Sequence, residues 1–208
     1  MFNIEIAALR PAIIELERAM DWASQRLDGG NLKIVPVIQT KGRMGNCAGW
    51  FQSDAWSTRE GESVAEISMV AEALDRDPVT ILATILHEVC HAHNSAHGIT
   101  DCAANQRHNK AFASTAEQIG LTVAPPTDWR GFAYTSISED FRIEIEKDFK
   151  PDYTAWNLFR RGGSKSSRRA TPKTVPWECG CDYKVRVATG IDLYAICQTC
   201  DEYFERVD

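Results

Sequence analysis

The chain has 208 residues and a formal net charge of −6, a length that suits one catalytic domain plus a small module and excludes two full domains. Its hydrophobic fraction of 44% and charged fraction of 25% are those of a globular protein that builds its own core, and the acidic balance excludes a surface basic throughout. No apolar run approaches the roughly 18 residues of a membrane span, and MFNIEIAALRPAIIELERAM, interrupted by Glu5, Arg10, Glu15 and Glu17, lacks the apolar core of an export signal.

Residues 11–27 are expected to form an amphipathic helix. Pro11 suits its first turn, Ile13, Leu16, Met20, Ala23 and Leu27 recur at helical spacing, and Gly29-Gly30 ends it. Leu32 to Thr40 reads as a strand at a sheet edge, because Pro36 lacks the N–H a ladder needs. GWFQSDAW (49–56) and SVAEISMV (63–70) read as two strands of a hairpin, with Ala65, Ile67 and Met69 on one face and Glu66 and Ser68 on the other. A helix follows, capped by Asp77, with Pro78 in its first turn and VTILATILHEVCHAHN unbroken behind it. A shorter helix is expected from about His108 to Ile119, stopped by Gly120. In 121–159 the aromatic loop PPTDWRGFAY precedes SISEDFRIEIEKDF, whose pattern fits strand or helix.

The chemistry concentrates in His87-Glu88-Val89-Cys90-His91. A helix turns about 100° per residue, so His87 and His91 lie one turn apart on one stripe with Thr80 and Thr84. Ile81, Leu82, Ile85, Leu86 and Val89 take the opposite, core-facing side. Two imidazoles at this spacing grip one ion, and Glu88 beside them can serve as general base towards a water acidified by zinc. Cys90 is turned about 100° from the histidines and reads as a packing residue. A third ligand is required, and the five histidines all lie between 87 and 108. His93 is on the wrong side of the helix, which leaves His97 and His108. With His97 the motif is HExxHxxNxxH, close to the metzincin signature with Asn94 in the glycine position. Metzincins also carry a methionine turn downstream, whereas Met1, Met20, Met44 and Met69 are all upstream.

The stretch HEVCHA … RHNKAF … AEQIGL resembles the SprT-like metallopeptidases, in which an HExxH helix is followed by a loop and an HG-x-x-F helix start. That family includes Spartan-type proteases, which cleave proteins cross-linked to DNA. The resemblance covers roughly residues 30–125 and returns in a C-terminal ribbon. It implies His87, His91 and His108 as zinc ligands and Glu88 as general base, with Asn109 where the family usually has glycine. Asp101 and Glu117 are candidates to support a ligand histidine, and Trp129 and Tyr134 to line a cleft; ordinary surface acids and packing aromatics are the plainer readings.

Cys179-Gly-Cys181 and Cys197-Gln-Thr-Cys200 are two knuckles for a structural zinc, separated by YKVRVATGIDLYAI, which reads as a hairpin. The remaining cysteines, Cys47, Cys90 and Cys102, show no paired pattern, so a reduced, cytoplasmic setting is expected. RRGGSKSSRRATPKT (160–174) is basic and without acids. Arg160, Arg161, Lys165, Arg168, Arg169 and Lys173 serve there either as a solvated spacer or as sequence-independent DNA contacts that would bring the protein to the nucleoid.

The expected architecture is therefore α+β: a zincin-like metallopeptidase domain over 1–150, a basic linker over 151–174 and a zinc ribbon over 175–208. The expected function is an intracellular zinc endopeptidase with one catalytic and one structural Zn2+, acting on protein substrates associated with DNA and on no membrane. The rival is a non-catalytic nucleic-acid-binding protein with two structural zincs, which would need a fourth ligand at the upper site; Cys102 is the nearest candidate.

Overall fold

The computed structural model describes residues 9–40, 47–161 and 174–207. The chain divides into two compact units, Met1–Gly162 and Gly163–Asp208.

The first unit is a mixed α+β fold. Helix α1 spans Arg10–Asp28, with Pro11 in its first turn and Gly29 closing it in the left-handed conformation. Strands β1 (Ile34–Gln39), β2 (Gly49–Ser57) and β3 (Ser63–Val70) form one sheet in the order β1-β3-β2. β1 runs parallel to β3 and β2 antiparallel to it. Pro36 thus sits on an edge strand, where a missing donor disrupts no ladder.

Helix α2, Pro78–Ala96, starts where the sequence places it, with the Asp77 carboxylate accepting from Val79 and Thr80 N–H. It packs against α1, β2, β3 and helix α3, Lys110–Ile119. Leu16, Ile67, Met69, Leu74, Ile81, Ile85, Leu86, Val89, Phe112 and Ile119 are fully buried between these elements. Cys90 is also fully buried, a packing residue.

In this unit one expectation changes and one open reading is settled. His108 is not the first residue of α3. Asn109 is the N-cap, its side chain accepting from Ala111 and Phe112 N–H, and His108 lies before it in extended backbone, bridged to Cys102 on one side and Gly131 on the other. Asn109 caps the helix with a side-chain oxygen, which a glycine lacks. The ambiguous SISEDFRIEIEKDF resolves as helix α4, Glu139–Asp148, behind the Ser138 cap, with Phe141 and Ile145 buried and their polar neighbours outward. A short antiparallel pair, β4 (Thr122–Val123) with β5 (Thr135–Ser136), precedes α4 and closes the loop between them.

Residues 149–161 belong to this first unit. The buried Glu15 carboxylate accepts from Asp152 N–H and pairs with Arg18, Ala155 and Trp156 are buried, and Arg160 donates its N–H to Ala71 O. No helix among the described residues is long and apolar enough to cross a membrane.

The second unit holds strands β6 (Thr174–Glu178), β7 (Lys184–Ala188) and β8 (Glu205–Arg206), in the order β7-β6-β8. The expected hairpin within 183–196 is not formed: β7 pairs with β6 upstream of it, so the first cysteine knuckle is itself the hairpin turn.

Because Asp77 satisfies two otherwise orphaned N–H groups at the start of α2, Asp77→Ala should cost about 1 kcal/mol. In urea the unfolding midpoint should fall with the slope unchanged; an unaltered midpoint would show the cap to be inert.

Candidate metal centre

One turn of α2 brings His87 and His91 together, and the strand-like segment at 108 supplies the third imidazole. His87 Nε2 lies 3.2 Å from His108 Nε2, and His91 Nε2 lies 3.0 Å from the same atom. The opposite ring edges of the first two are already held. His87 Nδ1 lies 3.0 Å from Thr135 Oγ1, and His91 Nδ1 lies 2.7 Å from Asp101 Oδ2. With Nδ1 of His91 donating to a carboxylate, its Nε2 presents a lone pair.

Three lone pairs directed at one another are mutually unfavourable unless a cation lies between them. A zinc ion at about 2.1 Å from each nitrogen, in tetrahedral geometry, sets N···N at about 3.4 Å, close to the separations seen. The donor set fits zinc. The five-histidine ambiguity also resolves: His97 sits at the C-cap of α2 with Nδ1 against His93 O at 2.8 Å, and its ring lies beside that of His93. Neither reaches His87.

Burial tunes these groups towards metal binding. Desolvation, then the neighbouring imidazoles, pushes the His87 pKa well below its usual value, and desolvation with His91 pulls His108 to about 4. Both rings are therefore neutral at neutral pH. Burial opposes protonation of His91 as well, but the Asp101 bond and the charges of Glu88 and Asp101 win and raise it. Glu88 is buried at 7% exposure; burial first, then Asp101 against the pull of His91, raises its carboxyl to about 7. Among the described residues that carboxylate takes no hydrogen bond.

The family comparison falls on this unit: the SprT-like family matches residues 16–135, more than half of the chain. The chain belongs to the SprT-like family. No curated protein and no solved structure matches it.

The stretch matched to the SprT-like family runs from α1 to the Thr135 hydroxyl against His87, and within it lie contacts that the sequence did not announce. Phe112, fully buried, is the surface on which all three rings rest, at centroid distances of 4.5, 4.7 and 4.6 Å from His87, His91 and His108. Thr135 lies 48 residues beyond His87, too far for periodicity to link them. Gly131 has φ +69°, and a Cβ on it would sit 2.2 Å from His108 O; the backbone around it grips the third histidine through His108 N–H to Arg130 O and Phe132 N–H to His108 O. Asp101 meets the His91 ring, whereas Glu117 is exposed on α3.

Trp129 and Tyr134 are exposed and flank the Arg130 guanidinium, at 5.3 and 5.8 Å to the ring centroids. Cys102 groups with His91 and Asp101, not with the three imidazoles.

The second candidate metal site is the cysteine cluster. Cys179, Cys181, Cys197 and Cys200 bring their sulfurs within 4.8 Å of one another and form no disulfide. Cys179 Sγ to Cys181 Sγ is 3.4 Å and Cys181 Sγ to Cys197 Sγ 3.6 Å, against about 3.8 Å for sulfurs at about 2.3 Å around a tetrahedral zinc. The two knuckles close alike. In each, the residue after the second cysteine is an aspartate with positive φ, Asp182 (64°) and Asp201 (56°), donating its N–H back to the carbonyl of the first cysteine. Backbone N–H groups of Thr199 and Cys200 aimed at Cys197 hold its thiol below the usual range, as a metal-binding thiolate requires. A Cβ on Gly180 would lie 1.7 Å from a Glu202 carboxylate oxygen, so a side chain there would require Glu202 to swing aside.

Of the basic residues at 160–174, Arg160 ion-pairs with Glu72 at 2.9 Å, Arg161 is exposed, and Lys165, Arg168, Arg169 and Lys173 lie outside the described residues.

Two sites imply about two zinc ions per chain, and elemental analysis should find about one left in Cys197→Ser/Cys200→Ser. His108→Ala should lose the upper ion while His93→Ala and His97→Ala retain it. Gly131→Ala should weaken upper-site zinc about ten-fold or more, since it forces strain of about 1–3 kcal/mol onto the His108 segment; unchanged affinity in a chelator competition would show that this contact yields freely.

Proposed function

We propose that this chain is a zinc-dependent endopeptidase of the SprT-like type, acting on proteins bound or cross-linked to DNA. The observation that carries the reading is Glu88. It is buried on α2, between His87 and His91 in sequence, and its carboxylate accepts no hydrogen bond from any described residue. A purely structural zinc needs no such group and is closed by a fourth protein ligand, whereas Cys102, the candidate for that role, groups with His91 and Asp101 and not with all three imidazoles. The rival reading as a non-catalytic nucleic-acid-binding protein is weakened accordingly.

His87, His91 and His108 would hold the ion. When bound, zinc supplies Lewis-acid chemistry, acidifying water and polarising a carbonyl. Glu88 accepts the proton of the attacking water and returns it to the amine of the departing chain. Asp101 and Thr135 hold two of the ligand rings in orientation. Strand β2 is a sheet edge packed on α2, with Gly49 so close to Thr84 that a Cβ would meet Thr84 Cγ2 at 3.2 Å. An extended substrate chain can pair with that edge and pass the histidines. For DNA, Arg161, Lys165, Arg168, Arg169 and Lys173 are the candidate phosphate contacts; Arg160 is drawn towards Glu72, which weakens its case.

Glu88→Gln should retain upper-site zinc and lose on the order of 10²–10⁴ in peptidase rate, the range that general-base assistance supplies. Cleavage of a DNA-bound protein by wild type should rise when DNA is added and fall back with salt. Equal behaviour of wild type and Glu88→Gln would refute the peptidase; failure of DNA stimulation alone would refute only the DNA link.

A further inference from the structure

Behind the His91–Asp101 contact lies a second tier of buried polar groups. Asn94 is one turn beyond His91 on α2 and is completely buried. Its Nδ2 donates to Asp101 Oδ2 at 3.0 Å, the same oxygen that meets His91 Nδ1. Its Oδ1 accepts from the Thr115 hydroxyl of α3 at 2.7 Å, and that hydroxyl also reaches Ala111 O. Thr115 is itself buried at 6% exposure. The Asn94 carbonyl accepts from His97 and Ile99 N–H, the turn that carries the chain from α2 back to Asp101.

We infer that Asn94 and Thr115 are positioning residues for the metal site, acting through Asp101 to fix the ring plane of His91. The inference rests on reading the three imidazoles as a zinc site. A single carboxylate oxygen that accepts from both His91 and Asn94 cannot rotate away from the histidine without abandoning the buried amide. The amide cannot exchange its oxygen and nitrogen, because its oxygen would then face the Asp101 carboxylate, acceptor against acceptor, and the Thr115 hydroxyl would lose the oxygen it donates to. A ligand helix, a ligand-supporting loop and the helix that carries Phe112 are thereby locked into one arrangement, and the cost of breaking any link is an unsatisfied buried polar group. Packing alone explains none of this: an apolar residue would fill the place of Asn94 between the helices more simply.

The test uses the full chain, with the cysteine-cluster zinc as an internal control, and measures upper-site zinc affinity by chelator competition. Outer partners of ligand histidines are typically worth about 10–100-fold in metal affinity, so Asn94→Leu should weaken upper-site zinc by that order. Thr115→Val, which removes one hydroxyl with almost no change of shape, should weaken it about five-fold, and Thr115→Ser should restore it. In cobalt-substituted protein the visible ligand-field bands should shift in Asn94→Leu and Thr115→Val and return in Thr115→Ser. With Asp101→Ala in the background, Asn94→Leu should cost less than about two-fold further, because its route to His91 is gone.

If the variants lose thermal stability but keep wild-type zinc affinity and cobalt spectrum, the two residues are merely structural and the inference is overturned. Should Asn94→Leu fail to fold, the Thr115 pair decides. If wild-type protein binds no ion beyond that of the cysteine cluster, the zinc reading of the three imidazoles falls first, and the positioning role falls with it.

Discussion

Three nitrogen lone pairs directed at a common point are the constraint on which the first unit turns. Brought within about 3 Å without a cation they repel one another, so the surrounding protein must supply the force that holds them there. It does so with hydrocarbon and hydrogen bonds in combination. Phe112 forms a common floor, Asp101 and Thr135 hold two rings from behind, and the backbone around Gly131 clamps the third. A bound cation would relieve the repulsion, which would make metal binding and the docking of α2, α3 and the 128–135 loop parts of one equilibrium.

The fold serves this by giving each ligand a different kind of support. His87 and His91 ride on a helix that is buried on most of its circumference, where the sequence pattern had placed them on a face turned from the core. Their rings are half-buried and contact His108 and Phe112, with Thr135 against His87. His108 sits in extended backbone bridged on both sides, a setting with little freedom to follow a shifting ion. Rigid placement of ligands sharpens selectivity for one coordination geometry.

Local signals made the skeleton legible in the sequence. The Asp77-Pro78 start of α2, the edge position of Pro36, the β2–β3 hairpin and the His87/His91 spacing are decided within a few residues, so the chain order alone reveals them. His108 was reached through family resemblance, and its backbone was misjudged as helical because an Asn N-cap and a helix start differ by only two residues. Thr135, Gly131 and the Asn94–Thr115 pair were not foreseen, since each acts across at least 20 residues of intervening chain and leaves no periodic trace. Asn94 had stood out only as a substitute for a glycine. The cysteine pattern gave the four sulfurs but not the pairing of β7 with β6, because both flanks of β7 alternate equally well.

Glu15 illustrates how the far end of the first unit is tied to its beginning. Its carboxylate, at 3% exposure, meets Asp152 N–H and Arg18, while Trp156 is buried nearby in the sequence and Arg160 reaches Ala71 and Glu72. Residues 151–161 therefore work as a clasp on the folded body and not as the opening stretch of a tether. A fragment cut at residue 150 would lose the Asp152 N–H that the buried Glu15 carboxylate accepts, leaving Arg18 as its partner. The first compact unit thus runs to Gly162, past the point at which the basic run begins.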